Sequence, residues 1–207
     1  VVNEFPSATA APPYGCERGH DSDEQVWLRL GEDLPLGWLA ERMIVRSSNL
    51  ATNLVLSAVG RPAVRDALAA AGTRHMAVER GIEDSAAADA GIANVTTAAD
   101  LATLLSAIAL GTIASAPACA TMLDILAAQE MRADLPAGLP AGTRVAIKNG
   151  WLTGIRHSAG VVYPDDAPPF VLAVCLSTPW AVNRHDDYAC QLVARIAAAA
   201  WDDRHDL

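Results

Sequence analysis

The stretch Arg46-Ser47-Ser48-Asn49-Leu50-Ala51-Thr52-Asn53 constrains this chain most. It separates two apolar runs of helical spacing, Leu39 to Ile44 and Leu50 to Val59. Small polar residues between two such runs break one helix and cap the next, and Ser48 or Asn49 suits the cap. Far downstream, Lys148-Asn149-Gly150 closes the strand-like run that begins at Thr143. Lys148 is the only lysine in the chain. A chain this rich in Ala and Arg reads as the product of a GC-rich genome, where arginine is the easier choice, so a lysine at 148 points to a site. The chain therefore reads as organised around a cleft, with a Ser-x-Asn loop from a helical layer facing a Lys-x-Gly strand end from a sheet layer.

The length of 207 residues suits one domain, and 52% apolar residues allow a sizeable core. A net charge of -9 argues against nucleic acid or another polyanion as partner. Cys16, Cys119, Cys175 and Cys190 show no metal-ligand spacing and read as small buried apolar side chains. No metal and no cofactor are expected. No run is long enough to span a membrane, and no stretch reads as a signal peptide.

Val1 to Gly31 is mixed and turn-rich. A first helix is expected from Asp33-Leu34-Pro35, a second over Leu50 to Val59 stopped by Gly60, and a third opened by Pro62 and stopped by Gly72. Glu79 to Val95 has no clear period. Thr97 to Asp100 reads as a capping-box variant opening a helix to Leu110, and Pro117 to Gln129 as a further helix. Pro136 to Gly142 reads as a linker. Three short strands are expected at Thr143 to Lys148, Arg156 to Tyr163 and Phe170 to Ser177, then a closing helix from Arg184 to Trp201.

The triplets Ser47-Ser48-Asn49 and Lys148-Asn149-Gly150 resemble two of three elements of class A β-lactamases and penicillin-binding proteins, which carry Ser-x-x-Lys, Ser-Asp-Asn and Lys-Thr-Gly. Met43-Ile44, Ala51-Thr52-Asn53-Leu54, Thr96-Thr97-Ala98-Ala99-Asp100-Leu101 and His157-Ser158-Ala159-Gly160-Val161-Val162-Tyr163 resemble that family too. The resemblance covers Leu34 to Trp201. With Lys148 the sole lysine, the chain holds no Ser-x-x-Lys.

The resemblance implies an α+β, β-lactamase/transpeptidase-like fold with a helical layer packed on an antiparallel sheet. It implies one incomplete domain over 1–207, with 34–142 mainly the helical layer and 143–201 three strands plus the last helix. The family's first two strands and nucleophile helix would precede Val1, together with an export signal. Secreted or cell-envelope placement is what the family implies for the full-length protein. An exposed strand edge, an uncovered apolar face and self-association are then expected, with Leu50, Leu54 and Leu101 short of partners.

The resemblance also assigns roles. Ser47 matches the shuttle serine, whose hydroxyl both donates and accepts a proton. Asn49 would hold a substrate amide, or simply cap the helix. Ser48 stands where the family has an Asp that braces the loop. Lys148 would supply positive potential for a substrate carboxylate and for the proton relay. Asn149 replaces a hydroxyl residue that binds that carboxylate. Gly150 allows close backbone approach, and the N–H of Trp151 takes the second oxyanion-donor position. The deacylating Glu of class A enzymes follows an Arg by two residues. Arg80 fits that Arg, but Ile82 holds the next key place and Glu83 is one residue late. The acid expected to pair with that Arg is replaced by Asn94-Val95. Glu83 is thus either a displaced general base or a solvated loop carboxylate. Arg156 and His157 border the cleft, where either can meet an anionic ligand or solvent.

The implied function is β-lactam hydrolysis through an acyl-enzyme in the full-length protein. The alternatives are a D,D-peptidase or esterase of the same fold, or a non-catalytic relative binding a cell-wall peptide or a protein. In-frame DNA upstream of Val1 separates them: Ser-x-x-Lys after a signal sequence supports an enzyme, and close stop codons a binder.

Overall fold

The computed structural model describes residues 1–181 and 188–207. The described residues form two compact units: Val1–Ala70 with Arg74–Thr96, and Ala71–Thr73 with Thr97–Leu207.

The first unit is helical. Its helices are α1 (Glu24–Trp27), α2 (Leu36–Val45), α3 (Asn49–Val59), α4 (Arg61–Ala70) and the short α5 (Ser85–Asp89). Ser48 caps α3, its hydroxyl oxygen accepting from the Ala51 N–H at 3.1 Å. Gly60 ends α3 with φ of 77°, in the left-handed region that glycine adopts at little cost. Leu39, Leu50, Ala51, Val26 and Trp27 form the core with Phe5 and Cys16. Phe5 and Tyr14 exchange backbone hydrogen bonds of 2.8 and 2.9 Å, which folds the turn-rich N-terminal segment over α3. Leu50 is consequently fully buried, and Leu54 packs partly buried beside it. This corrects the expectation that Leu50 lacks partners. The N-terminal segment carries too few apolar residues to show a period, yet it covers that helix.

The second unit packs helices on an antiparallel sheet. Here α6 (Ala98–Ala109), α7 (Ala116–Ala127) and α8 (Tyr188–Asp202) accompany β1 (Arg144–Leu152), β2 (Ile155–Tyr163) and β3 (Phe170–Ser177). Thr97 caps α6, accepting from the Asp100 N–H at 3.0 Å. The sheet order is β1-β2-β3, so β1 and β3 are its edges among the described residues. Strand alternation places Val145 and Ile147 on one face, in a core with Leu135, Leu139, Val162, Val174, Val193 and Ala197. Gly160 permits the tight β1–β2 contact, since a Cβ there would lie 2.9 Å from the Ala146 carbonyl oxygen.

Several boundaries differ from expectation. Strand β1 runs to Leu152 and not to Lys148, because Thr153-Gly154 supplies the hairpin turn, with Gly154 at φ of 83°. Gly150 and Trp151 therefore lie within the ladder, paired with His157 and Arg156. The linker after α7 holds a 3-10 turn over Leu135–Gly138, and the aperiodic 79–95 segment contains α5. Arg184, the expected start of the closing helix, lies outside the described residues. No helix among the described residues is long and apolar enough to cross a membrane.

Candidate functional site

In the first unit, the Ser47-Ser48-Asn49 loop is held by groups from two other segments. Ser47 has φ of 58°, an uncommon conformation for a residue with a side chain. Ser48 is fully buried, and its hydroxyl donates to the Asp21 carboxylate at 3.1 Å. The same Asp21 oxygen accepts the Leu50 N–H at 2.8 Å, while its other oxygen accepts the Asp23 N–H at 3.0 Å. Asp21 thus supplies a carboxylate to this loop, where the resemblance would expect one at 48. Sequence reading missed Asp21, since nothing in the spacing of 21 and 48 announces a contact.

Asn49 and Glu83 come together. The Asn49 amide donates to the Glu83 carboxylate at 2.9 Å, and the other carboxylate oxygen accepts the Glu17 N–H at 2.6 Å. Glu83 also takes a left-handed backbone, φ 68°. Its segment is closed by Asn94, which accepts the Glu79 and Arg80 N–H groups at 2.8 and 3.0 Å and donates to the Arg80 carbonyl at 3.0 Å. An amide thus makes the closure that the expected acid would make with Arg80. Asn53 adds a reciprocal pair with the Ile82 backbone, 2.7 and 2.8 Å, and donates to the Cys16 sulfur at 3.1 Å. Burial, and then the Glu83 charge, push the Cys16 thiol up to about 12, so it is a protonated neighbour and not a nucleophile.

In the second unit, Lys148 and Asn149 point to opposite faces of β1, as strand alternation requires. Burial pushes the Lys148 ammonium down to about 8, against the opposing charge of Asp134. Its ammonium donates to the Asn149 carbonyl oxygen. The Asn149 side chain is turned inward, 6% exposed, and its amide nitrogen donates to the Met131 carbonyl and to Asp134, both at 2.9 Å. Both its hydrogens are therefore used within the chain. Its carbonyl oxygen is buried and has no partner among the described residues. Open space lies over Gly150. Trp151 is half-buried, with the Arg156 guanidinium 5.7 Å over its ring. Trp151 lies on an edge strand, where alternate N–H groups are not consumed by β2. His157 is half-buried, with Nδ1 shielded and without a hydrogen-bond partner among the described residues.

Asp134 is the second residue that sequence reading missed. It is 1% exposed and accepts from Asn149, from the Leu135 N–H at 2.8 Å and from the Ser158 hydroxyl at 3.2 Å. Burial raises its pKa against these hydrogen bonds and the Arg156 charge. Cys16, Cys119 and Cys190 are buried as expected, whereas Cys175 is exposed on the edge strand β3.

The lowered Lys148 pKa has a stability consequence. Below about pH 8 both states carry the proton, and the folded state bears the full cost of a buried ammonium. Between about 8 and 10.5 only the unfolded chain keeps it, so this contribution improves as pH rises. Burial of Cys16 and Tyr14 works oppositely at high pH, because both hold their protons to about 12. The difference between wild type and Lys148→Met isolates the lysine. We expect that difference to move in favour of wild type by about 2 kcal/mol between pH 7 and 9.5, measured by urea unfolding.

The sequence model of the Beta-lactamase enzyme family matches residues 19–203. Solved structures agree. A variant of PBP-A, determined as an acyl-enzyme complex with penicillin G, is 26% identical, with a TM-score of 0.70 over 83% of this chain and 63% of that one. The β-lactamase from Sphaerobacter thermophilus is also 26% identical, with a TM-score of 0.72 over 86% and 66%. A variant of the last common ancestor of Gram-negative class A β-lactamases is 30% identical, with a TM-score of 0.77 over 89% and 71%. The chain thus spans less than two thirds of the PBP-A and Sphaerobacter structures. No curated protein matches it in sequence. With the family matched from residue 19 to 203 and its fold shared with solved class A enzymes, this chain belongs to the β-lactamase enzyme family of serine β-lactamases and penicillin-binding proteins.

Proposed function

We propose that the chain supplies the substrate-handling residues of a serine hydrolase that opens β-lactams through an acyl-enzyme. The observation that carries this reading is Lys148: the only lysine, placed on β1 ahead of Asn149 and Gly150, with an ammonium that burial makes titratable near pH 8. A cation there attracts the carboxylate of a β-lactam and can take part in proton transfer. Ser47 is the proton shuttle and Asn49 the amide that meets the substrate side chain. The open approach over Gly150 and the backbone of Trp151 serve the reacting carbonyl, and His157 borders the carboxylate. Asn149 acts from beneath the strand, because its amide hydrogens are spent on Met131 and Asp134.

One observation favours a slow variant of this chemistry, of the D,D-peptidase or esterase kind. Both oxygens of Glu83 already accept hydrogen bonds, from Asn49 and from the Glu17 backbone. A carboxylate engaged in this way is poorly poised to activate water for deacylation. The acyl-enzyme would then be long-lived, as a penicillin-binding protein's is.

The test uses saturation-transfer NMR with benzylpenicillin on the 207-residue protein. Saturable binding is expected, lost in Lys148→Met, retained at least in part in Lys148→Arg, and weakening with a midpoint near pH 8. Binding that is absent, or that ignores position 148 and pH, would sink the β-lactam reading and leave a non-catalytic binding role for another partner.

A further inference from the structure

We propose that Asp134 is a positioning residue for Lys148: it grips Asn149 beneath β1, so fixing the backbone that presents the amine, and its buried negative charge keeps that amine cationic for an anionic acyl substrate. The part concerning substrate rests on the reading of Lys148 given above.

The geometry supports the grip. Asn149 and Ser158 are register partners on adjacent strands, and alternation places both side chains on the same face of the sheet. Asp134 accepts from both, at 2.9 and 3.2 Å, and from the Leu135 N–H that opens the 3-10 turn. The carboxylate thus ties β1, β2 and the 131–135 segment at one point. Lys148 leaves the backbone one residue before Asn149 and on the other face, so any slip of Asn149 displaces the lysine too. A carboxylate this buried is costly unless charge and hydrogen bonds compensate it.

Other charged groups lie on the neighbouring strand and helix, and Glu130 and Arg132 share the segment of Asp134. On β2, Arg156 is 1% exposed, lies over Trp151 and favours the ionised form of Asp134. His157, also on β2, pairs in register with Gly150. On α7, Asp124 is engaged with Arg144 at 3.2 Å, at the far end of β1. Among the described residues, Asp134 is a carboxylate whose charge acts on Lys148.

The test needs no substrate, so its outcome is separable from that of the β-lactam binding experiment. With one lysine, protein grown on 13C-lysine gives a single lysine Hε–Cε signal, whose pH titration reads the amine directly. In Asp134→Asn, an isostere that keeps an acceptor, the midpoint should fall by about half a unit or more, roughly a 3-fold loss of proton affinity. Asp134→Glu, which keeps the charge, should stay near wild type. A role limited to holding the loop would leave the Asn midpoint unchanged in a protein that still melts cooperatively, and that result overturns the proposal. If Asp134→Asn does not fold, wild type decides. The Cε signal must show a second inflection at acid pH as Asp134 takes up its proton, and a single inflection overturns the proposal.

Discussion

Purified as these 207 residues, the protein will hydrolyse a chromogenic cephalosporin no faster than buffer does. Acyl transfer in this family begins at the serine of Ser-x-x-Lys, and no such quartet occurs in the sequence. Removing the nucleophile of another serine hydrolase costs roughly a million-fold in turnover. The hydroxyls of Ser48 and Thr52 and the Cys16 thiol beside the Ser47 loop are engaged or protonated, Thr52 donating to the Ser48 carbonyl at 2.7 Å. The Ser48 hydroxyl is fully buried and committed to Asp21 and the Ala51 N–H. Cys16 is buried beside Glu83 and keeps its proton to about 12. Ser47 is half-buried, and the role proposed for it is that of a proton shuttle. Initial rates of wild type and Ser47→Ala, each at micromolar enzyme, check this. Steady wild-type turnover that disappears in Ser47→Ala would make Ser47 the nucleophile and remove its shuttle role.

The second large effect is on stability. Asp23→Ala should destabilise the first unit by roughly 3–5 kcal/mol. Asp23 is 2% exposed and makes a two-pronged pair with Arg42, through Nε and through Nη2 at 2.7 Å. It also caps α1, accepting the Gln25 N–H at 3.1 Å. Truncation removes the cap and leaves a guanidinium only 18% exposed without its carboxylate. The lower end of the range applies if water reaches Arg42. Against a total stability of roughly 5–15 kcal/mol, the loss is large. A fall in melting temperature of roughly 6–20 °C is expected in differential scanning calorimetry. A fall under 2 °C, roughly, would mean that solvent already screens the pair.

The β-lactamase-like α+β fold was legible because it rests on local signals. Ser48 and Thr97 cap helices with their own hydroxyls, Gly60 stops one, and β3 is one short apolar run over Phe170–Ser177. Each of these depends on residues within a few positions, so spacing reveals it. The motif triplets were legible for a different reason: Lys148 stands out against an arginine-rich background, and order and flanks tie it to a known family. The end of β1 was misread at Lys148 because Asn149 and Gly150 look like turn residues. Only pairing with β2 holds them in the ladder.

The sequence alone determined the element order, the caps and the identity of the residues in the two triplets. Tertiary structure alone decided what those residues face. Asp21 braces the Ser48 loop from 27 residues upstream, and Asp134 takes the Asn149 amide from 15 residues away. Glu83, one place late in sequence, still meets Asn49, because Asn94 closes the 79–95 segment and Asn53 ties Ile82 to α3. The charge state of Lys148 is likewise a property of packing, lowered to about 8 by burial that no string of letters displays. Local hydrogen bonds are written in spacing. Desolvation and long-range carboxylate contacts depend on which surfaces meet, and that is settled only when the chain has collapsed.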